Sequence, residues 1–152
     1  MIKALETSYN GYRCRSRLEA RWLRFLDAMG AHYRYEIEGF DVAGTWYLPD
    51  IYLTKDDVWL EVKPVRPDDL TLYQNFAAKM QRPIAILCGQ PGDSKAEGGE
   101  ILLCLPDGST CDALLSRNGI QYFACLPLSW DGSIGEANEA ARSARFEHGE
   151  AG

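Results

Sequence analysis

The chain has 152 residues, 46% of them hydrophobic and 11% aromatic, so it can bury one core and is expected to form a single α/β domain over residues 1–152. No apolar run approaches the length of a membrane span and the first residues lack the apolar core of a signal peptide, which predicts a cytoplasmic protein without a membrane partner. Five cysteines without a C-x-x-C pair lie mostly in apolar runs, which indicates core positions in a reducing compartment and argues against a zinc site.

The net charge of −6 argues against a nucleic-acid partner, but this charge is unevenly distributed along the chain. Residues 1–34 carry seven lysines and arginines against three acids. Local cation density governs contact with a phosphate backbone more than total charge does. Four arginines of this segment are therefore candidate nucleic-acid contacts, and a solvated helix face explains them as well: Arg13, Arg15, Arg17 and Arg21.

A first helix is predicted from about Ser16 to Gly30, because apolar residues recur there at helical spacing. Glu19 falls at the border of the apolar stripe, where a carboxylate is costly unless it is paired or bound to a metal. Ser16 and Glu19 also have the spacing of a capping box, in which the glutamate only caps the start of the helix. The residues alone leave both roles of Glu19 open.

Three strands are predicted to follow this helix as a meander. The first lies in residues 31–40, where apolar or aromatic residues alternate with polar ones, and it turns at Gly39. The second and third, residues 46–53 and 58–63, are rich in aromatic and β-branched residues and are joined by a charged turn as a hairpin. Pro64 ends the third strand because it cannot donate to a ladder.

The ends of this hairpin carry polar side chains suited to phosphodiester hydrolysis. In the third strand Glu61 and Lys63 share one face, because successive side chains alternate. An antiparallel register that places Asp50 opposite Glu61 is assumed here, and it brings two carboxylates within reach of one cation. Hard divalent ions take oxygen ligands, so the predicted ligands of Mg²⁺ or Mn²⁺ are Asp50, Glu61 and the backbone carbonyl of Val62. Lys63 would orient or deprotonate the attacking water, or balance the charge of the phosphate.

Each part of this pattern also has a simpler explanation. A Glu-x-Lys sequence on a strand is common as a solvated ion pair, and Pro-Asp is a common start of a turn. The combination is more specific than its parts, because Asp50 and Glu61 are eleven positions apart on strands that are predicted to be adjacent.

A second helix is predicted to begin within residues 66–69, where a proline and two acids suit a helix start, and to stop at Pro83. Its apolar line is predicted to consist of Leu72, Phe76 and Met80, and its polar candidates are Tyr73, Gln74 and Lys79. Residues 83–89 then form a continuous apolar run, which is typical of a buried strand and is expected to lie beside the hairpin.

Beyond residue 90, two further strands at residues 101–105 and 120–126 are predicted to extend the sheet. A short helix is expected within residues 135–150. Its cationic side chains either contact DNA or are solvated while the helix packs on the core: Arg142, Arg145 and His148. No internal repeat and no long linker divides the chain.

Pro49-Asp50, followed by Glu61-Val62-Lys63 in a strand, resembles the motif of the PD-(D/E)XK nuclease superfamily, which has the restriction-endonuclease-like fold. The similarity covers about residues 12–90, in the order helix, three strands, helix, strand. Within the superfamily the chain is similar to small phage and prokaryotic nucleases with a glutamate on the first helix, such as archaeal-type Holliday junction resolvases and transposon-end-cleaving subunits. The resemblance implies an αβββαβ core with a mixed central sheet flanked by helices, extended by C-terminal strands and a short helix over about residues 100–148.

The same resemblance implies a Mg²⁺- or Mn²⁺-dependent endonuclease that cleaves DNA. Asp50 and Glu61 would ligate the metal, Glu19 would bind the metal or position water, and Lys63 would assist the nucleophile. Many members of the superfamily place a glutamine or lysine of the second helix near the metal, which makes Gln74 a further candidate besides simple surface exposure. One such site cuts one strand, so a double-strand break requires a homodimer or a partner subunit.

Two other functions fit the same sequence. A nucleic-acid-binding or assembly subunit of a transposition, restriction or phage replication complex would keep the fold without catalysis, and the acidic net charge and small size favour it. The complete set of Asp50, Glu61 and Lys63 argues for catalysis, since a binding module needs no such set. A nuclease that acts on RNA is the third alternative, and the sequence does not separate it from an enzyme that acts on DNA.

Overall fold

The computed structural model describes residues 6–92 and 100–146 of the chain. Within these residues the protein is a mixed α/β fold with an eight-stranded mixed sheet, two small two-stranded sheets and three helices. None of the described helices has the length and apolar character needed to cross a membrane.

The elements are numbered here in chain order. The helices are α1 (Arg17–Ala28), α2 (Thr71–Met80) and α3 (Ile134–Ser143). The strands are β1 (Thr7–Tyr9), β2 (Tyr12–Cys14), β3 (Tyr33–Tyr35), β4 (Phe40–Val42), β5 (Thr45–Tyr47), β6 (Ile51–Leu53), β7 (Val58–Lys63), β8 (Ile84–Cys88), β9 (Glu100–Cys104), β10 (Thr110–Ser116), β11 (Gly119–Gln121) and β12 (Cys125–Leu126).

The large sheet has the strand order β12-β11-β10-β9-β8-β7-β6-β3. Strands β7 and β8 run parallel, whereas the other neighbouring strands of this sheet run antiparallel. A parallel pair needs a long connection between its strands, and α2 lies within it. The predicted order of a helix, three strands, a helix and a strand is present as α1, β3, β6, β7, α2 and β8, with the hairpin β4–β5 inserted after β3.

Helix α1 begins where the sequence predicts it. The Oγ of Ser16 accepts the backbone N–H of Glu19 at 3.1 Å, which satisfies one of the free N–H groups of the first turn. Gly30 follows the helix in the left-handed conformation, with φ +73°, which glycine adopts at little cost. The inner face of the helix, which includes Trp22 and Phe25, is fully buried.

The large sheet has a hydrophobic core on each face. Helices α1 and α3 cover one face, where residues such as Leu60 and Leu87 are buried. Helix α2 and the hairpin β4–β5 cover the other face, where residues such as Trp59 and Ile86 are buried. Neighbouring residues of β7 and β8 therefore enter opposite cores, as the alternation of strand side chains requires, and the helices flank the sheet on both sides.

The strand predicted at residues 46–53 is wrong in its extent, because it divides into β5 and β6. Strand β5 pairs with β4 in a small sheet, whereas β6 pairs with β3 and β7 in the large one. The first predicted strand is also too long. It ends at Tyr35 because Glu36 adopts the left-handed conformation, with φ +47°, and donates its backbone N–H to the carbonyl of Asp50 at 2.8 Å.

Strands β1, β2, β4 and β10 are not among the predicted elements. The turn Asn10-Gly11 closes the β1–β2 hairpin with φ values of +48° and +82°, and Asn-Gly is a typical sequence for such a turn. Strand β10 lies between the two segments predicted as strands, residues 101–105 and 120–126, and it pairs with both β9 and β11. The strand predicted at residues 120–126 divides into β11 and β12, so the C-terminal part of the sheet has two strands more than the sequence predicts.

Helix α2 begins at Thr71, later than the predicted start within residues 66–69. Asp69 lies outside the helix, where its carboxylate accepts the backbone N–H of Thr71 at 2.9 Å. Tyr73, a predicted polar candidate of this helix, has a buried side chain, and its ring packs on that of Tyr47 at 5.8 Å between centroids.

Helix α3 packs on the core, which was one of the two predicted alternatives for this segment. Ala141 is buried within the helix, and Phe146 is buried just beyond its end. Arg142 and Arg145 are exposed. The third predicted cation of this segment, His148, lies outside the described residues.

Candidate functional site

The predicted register between the strands of the central hairpin is confirmed. Strands β6 and β7 pair antiparallel with Ile51 opposite Leu60, so Asp50 lies just before β6 and opposite Glu61. Two hydrogen bonds join these positions. The backbone N–H of Val62 donates to Oδ2 of Asp50 at 2.8 Å, and the backbone N–H of Asp50 donates to Oε1 of Glu61 at 3.3 Å.

Glu61 and Lys63 project from the same face of β7, as the strand pattern predicts. The Nζ of Lys63 lies 3.6 Å from Oε2 of Glu61, whose side chain is only 7% exposed. The hydroxyl of Tyr47 donates to Oε1 of Glu61 at 2.7 Å. Burial lowers the pKa of Lys63, but Tyr73 and Glu61 outweigh this effect, so the pKa is raised above the usual value and the ammonium group is charged at neutral pH.

Glu19 reaches the site from the first turn of α1. Its backbone N–H is capped by Ser16, while Oε2 of its carboxylate accepts a hydrogen bond from the hydroxyl of Tyr35. Burial raises the pKa of Glu19, the hydrogen bond from Tyr35 lowers it, and the nearby charge of Glu36 raises it further. The helix cap and the approach to the site therefore coexist at this residue, because one uses its backbone and the other its carboxylate.

Glu36 is a member of the site that the sequence does not indicate. One carboxylate oxygen of Glu36 lies within 4.8 Å of one from Glu19 and one from Asp50, so three acids converge on one point. The position of Glu36 follows from its left-handed backbone, a conformation that is uncommon outside glycine and asparagine and that marks a locally constrained site. Arg15 pairs with this carboxylate, with its Nε 3.1 Å from Oε1.

Asp50 is the centre of this arrangement. Burial raises its pKa to about 8, with further contributions from the negative charges of Glu61 and Glu19, whereas the Val62 N–H and Lys63 act in the opposite direction. A carboxyl group with this pKa holds a proton at neutral pH unless a cation replaces it. The site therefore favours binding of a positive charge at Asp50.

The carboxylate of Glu61, a predicted metal ligand, lies outside the group formed by Glu19, Glu36 and Asp50. Its Oε1 accepts two hydrogen bonds and its Oε2 pairs with Lys63. Glu61 therefore links Lys63 to the strand that carries Asp50.

All four predicted catalytic residues line one open cleft of about 590 Å³, which we call the acidic cleft: Glu19, Asp50, Glu61 and Lys63. Val62 also lines this cleft, and its backbone N–H rather than its carbonyl is the group seen in contact with Asp50. Gln74 does not line the cleft, because its amide donates to the carbonyl of Gly108 at 3.0 Å in the turn between β9 and β10. The buried Tyr73, in contrast, does line it.

The candidate arginines occupy three different places. Arg15 lines the acidic cleft. Arg13 forms an ion pair at the surface. Arg17 and Arg21 line a second cleft beside the end of α3, where Arg142 and Arg145 also lie. The four arginines of this second cleft give the acidic protein a local concentration of positive charge.

Arg21 stabilises the end of α3 as part of the fold. Its Nη1 donates to the carbonyl oxygens of Ala141 at 2.7 Å, Arg142 at 3.1 Å and Ala144 at 3.3 Å. The guanidinium carbon lies 5.6 Å from the centre of the Phe146 ring. A cation at the C-terminal end of a helix satisfies free carbonyls and complements the helix dipole. The side chain of Arg21 is therefore part of the contact between α1 and α3.

Replacing Arg21 with methionine is expected to lower the free energy of unfolding by about 1–3 kcal/mol, because three carbonyl oxygens lose a charged donor. Urea unfolding followed by circular dichroism measures this change. The matched control is Arg17→Met in the same cleft, which is expected to change the free energy by less than about 0.5 kcal/mol. Equal effects of the two substitutions would contradict the stabilising role of Arg21.

Comparison of the chain with family models, with curated proteins and with solved structures gives no match. The geometry of the acidic cleft is therefore the basis for a functional proposal. Three carboxylates that converge on one point suit a divalent cation, and a charged lysine beside them suits an anionic substrate.

Proposed function

We propose that this protein is a Mg²⁺- or Mn²⁺-dependent nuclease that hydrolyses phosphodiester bonds, with DNA as its substrate. The observation that carries the proposal is the convergence of Glu19, Asp50, Glu61 and Lys63 in one cleft. Buried carboxylates are costly for stability, so a group of them around an open cleft favours a function over a purely structural role.

The residues of the cleft fit the proposed metal. Its donor set consists of carboxylate oxygens, which Mg²⁺ and Mn²⁺ prefer, and Glu19, Glu36 and Asp50 each offer one oxygen within 4.8 Å of the others. The raised pKa of Asp50 points in the same direction, since a bound cation would offset the effects of burial and of the neighbouring Glu61 and Glu19 charges that raise it. When bound, such an ion supplies Lewis-acid stabilisation of the phosphate and activates water.

The residues of the chain then have separate roles in the proposed reaction. Glu19, Glu36 and Asp50 would hold the ion. Lys63 would balance the negative charge that develops on the phosphate, and its raised pKa favours this role over removal of a proton from water. Glu61 would hold the ammonium group of Lys63 in place. Replacing Tyr47 with phenylalanine would remove the hydrogen bond from its hydroxyl to Glu61 and loosen the position of that carboxylate.

The order of the elements supports a finer description of the fold. Along the chain, α1 is followed by the antiparallel strands β3, β6 and β7, and α2 then connects β7 to the parallel strand β8. This is the arrangement expected of the αβββαβ core of restriction-endonuclease-like proteins, to which the motif of Asp50, Glu61 and Lys63 also belongs. The small hairpin β4–β5 and the strands β9–β12 would then be additions to that core.

Incubation of the purified protein with supercoiled plasmid, single-stranded circles, a four-way junction and matched RNA tests the proposal. Each substrate is combined with Mg²⁺, with Mn²⁺ and with a chelator. Cleavage is expected in the presence of either metal and not with the chelator. Absence of cleavage of every substrate at all metal concentrations would overturn the proposal, and cleavage of RNA alone would change its substrate.

A non-catalytic nucleic-acid-binding or assembly subunit is the second candidate function. The observation that favours it is the second cleft, which lies apart from the carboxylates and gathers four cations that suit a phosphate backbone: Arg17, Arg21, Arg142 and Arg145. Tight binding of DNA without metal and without turnover would support this function. A homodimer or a partner subunit would be needed for double-strand cleavage in the first case and for assembly in the second.

A further inference from the structure

Trp46 differs from the other tryptophans of the described residues in its exposure. Its side chain is 73% exposed, whereas Trp22, Trp59 and Trp130 are buried. Trp46 lies on β5 at the rim of the acidic cleft. Its place in the lining of the acidic cleft, rather than its exposure alone, makes the indole a candidate for contact with a ligand.

The position of Trp46 is fixed by the next residue of the same strand. Adjacent strand residues point in opposite directions, so Tyr47 enters the core while Trp46 faces outward. Tyr47 is hydrogen-bonded to Glu61 at 2.7 Å and its ring packs on that of Phe76 at 5.1 Å between centroids. The contacts of Tyr47 therefore fix β5 against Glu61 and the core, and they hold the neighbouring indole beside the cleft.

Gly39 provides the surface on which the indole rests. A Cβ atom at Gly39 would lie only 2.3 Å from Cζ2 and 2.6 Å from Cε2 of Trp46, so any larger residue would displace the ring. The backbone at Gly39 thus supports one side of the indole, while most of the ring surface remains open to solvent. A supported aromatic ring of this kind loses little conformational entropy when a flat ligand stacks on it.

The ligand that fits both features carries a phosphate and an aromatic ring. The cleft below Trp46 holds the groups proposed to act on a phosphodiester, and an aromatic ring at the edge of such a site suits a nucleobase. Bases within a duplex are already stacked on each other, so only an unpaired or extruded base can reach the indole.

We propose that Trp46 stacks an unpaired nucleobase next to the phosphodiester in the acidic cleft, so that the substrate is single-stranded nucleic acid or a single-stranded segment of a junction or flap. This inference rests on the proposed function for the place of the phosphate. It adds the class of substrate, which the motif of acids and lysine leaves open.

Fluorescence anisotropy of labelled single strands tests the stacking in the absence of turnover. The full-length protein is titrated, in chelator and in Ca²⁺, against a single strand and against a duplex of the same sequence. Replacing Trp46 with alanine is expected to weaken binding of the single strand by about 5- to 150-fold, which corresponds to a stacking contribution of about 1–3 kcal/mol. Binding of the duplex is expected to change by less than about threefold.

Three further variants separate stacking from other effects. Phe123→Ala removes another aromatic side chain, 81% exposed and outside the cleft, and should leave binding unchanged. Trp46→Phe retains a ring and should restore part of the affinity. Gly39→Ala displaces the indole from its support and should weaken binding in the same direction as Trp46→Ala. Thermal unfolding of each variant verifies that the fold is intact.

An abasic substitution in the single strand identifies the contact directly. Removing the base that stacks on Trp46 should weaken binding to the wild-type protein and have no additional effect on Trp46→Ala. Equal losses for single strand and duplex, unchanged binding by Trp46→Ala, or a change in oligomeric state instead of affinity would overturn the inference. Metal-dependent cleavage that is insensitive to Trp46→Ala would overturn the stacking inference and leave the proposed function intact. Stacking on Trp46 without cleavage of any substrate would support the stacking inference and overturn the proposed function.

Discussion

Replacing Asp50 with alanine is expected to reduce metal-dependent cleavage of nucleic acid by about 10³-fold or more, while the protein stays folded. Asp50 is the residue that contacts both halves of the site. It shares the group of converging oxygens with Glu19 and Glu36, and it lies opposite Glu61 with hydrogen bonds between the two strands. Its loss therefore removes a proposed metal ligand and alters the position of the neighbouring acids.

Lys63→Ala is expected to produce a loss of the same order, because no other described lysine lines the acidic cleft. This ammonium group pairs with Glu61 within the cleft, and its removal leaves the developing charge of the phosphate without this compensation. Single-turnover cleavage rates under saturating protein distinguish this effect from weaker binding.

Two substitutions serve as matched controls for this pair. Asp68→Asn changes an exposed acid and Lys79→Ala an exposed base, and neither residue lines the cleft. Both variants are expected to retain wild-type rates. Wild-type activity in Asp50→Ala and in Lys63→Ala would show that the acidic cleft is not the catalytic site.

The central hairpin could be predicted from the sequence because two local rules agree there. The alternation in residues 58–63 places Glu61 and Lys63 on one face, and the number of residues between Asp50 and Glu61 suits a short connection between antiparallel strands. The start of α1 could be predicted for a similar reason, since Ser16 and Glu19 have the spacing of a helix cap. These features depend on neighbours in the sequence.

Glu36 could not be predicted, because its position depends on a residue that is distant in the sequence. The alternating pattern around it favours a continuing strand, which would send its side chain away from Glu19. The strand ends instead where the backbone N–H of Glu36 bonds to the carbonyl of Asp50. The contact of Arg21 with the end of α3 has the same character, since more than a hundred residues separate its donor from its acceptors.

The β1–β2 hairpin is a different case, because a local signal for it is present. Asn10-Gly11 lies between two short segments with alternating burial, and this pair of residues favours a tight hairpin turn. The residues of β4 and β5 carry a weaker signal, since their turn is Ala43-Gly44 and only the glycine indicates it. The division of residues 46–53 between two sheets therefore follows from tertiary packing around Tyr47 and Asp50 rather than from strand propensity.

Asp50→Asn is expected to stabilise the metal-free protein although it inactivates the proposed enzyme. Burial and neighbouring acids raise the pKa of Asp50 to about 8 in the folded protein, against about 3.9 in an unfolded chain. Because the folded state binds this proton more tightly, the stability that the protonated carboxyl contributes is complete below about pH 4 and is lost as the pH rises through about 8. Asparagine has no proton to lose and keeps an oxygen that can accept the Val62 N–H.

The difference in unfolding free energy between Asp50→Asn and the wild-type protein should therefore shift in favour of the variant by up to about 5 kcal/mol between about pH 4 and pH 8. Urea unfolding at a series of pH values, in chelator, measures it. Asp68→Asn is the control, because it makes the same change at an exposed residue that does not line the acidic cleft. A constant difference for Asp50→Asn would contradict the raised pKa.

Addition of metal should reverse the order of the two proteins. A divalent ion that binds only the folded wild-type protein stabilises it by about 2.7 kcal/mol at a concentration 100 times the dissociation constant, and Asp50→Asn should gain much less. Stabilisation of the variant in chelator, combined with no response of the wild-type protein to Mg²⁺ or Mn²⁺, would mean that Asp50 is a strained buried acid without a metal. The two outcomes together therefore separate the cost of burying these acids from the function proposed for them.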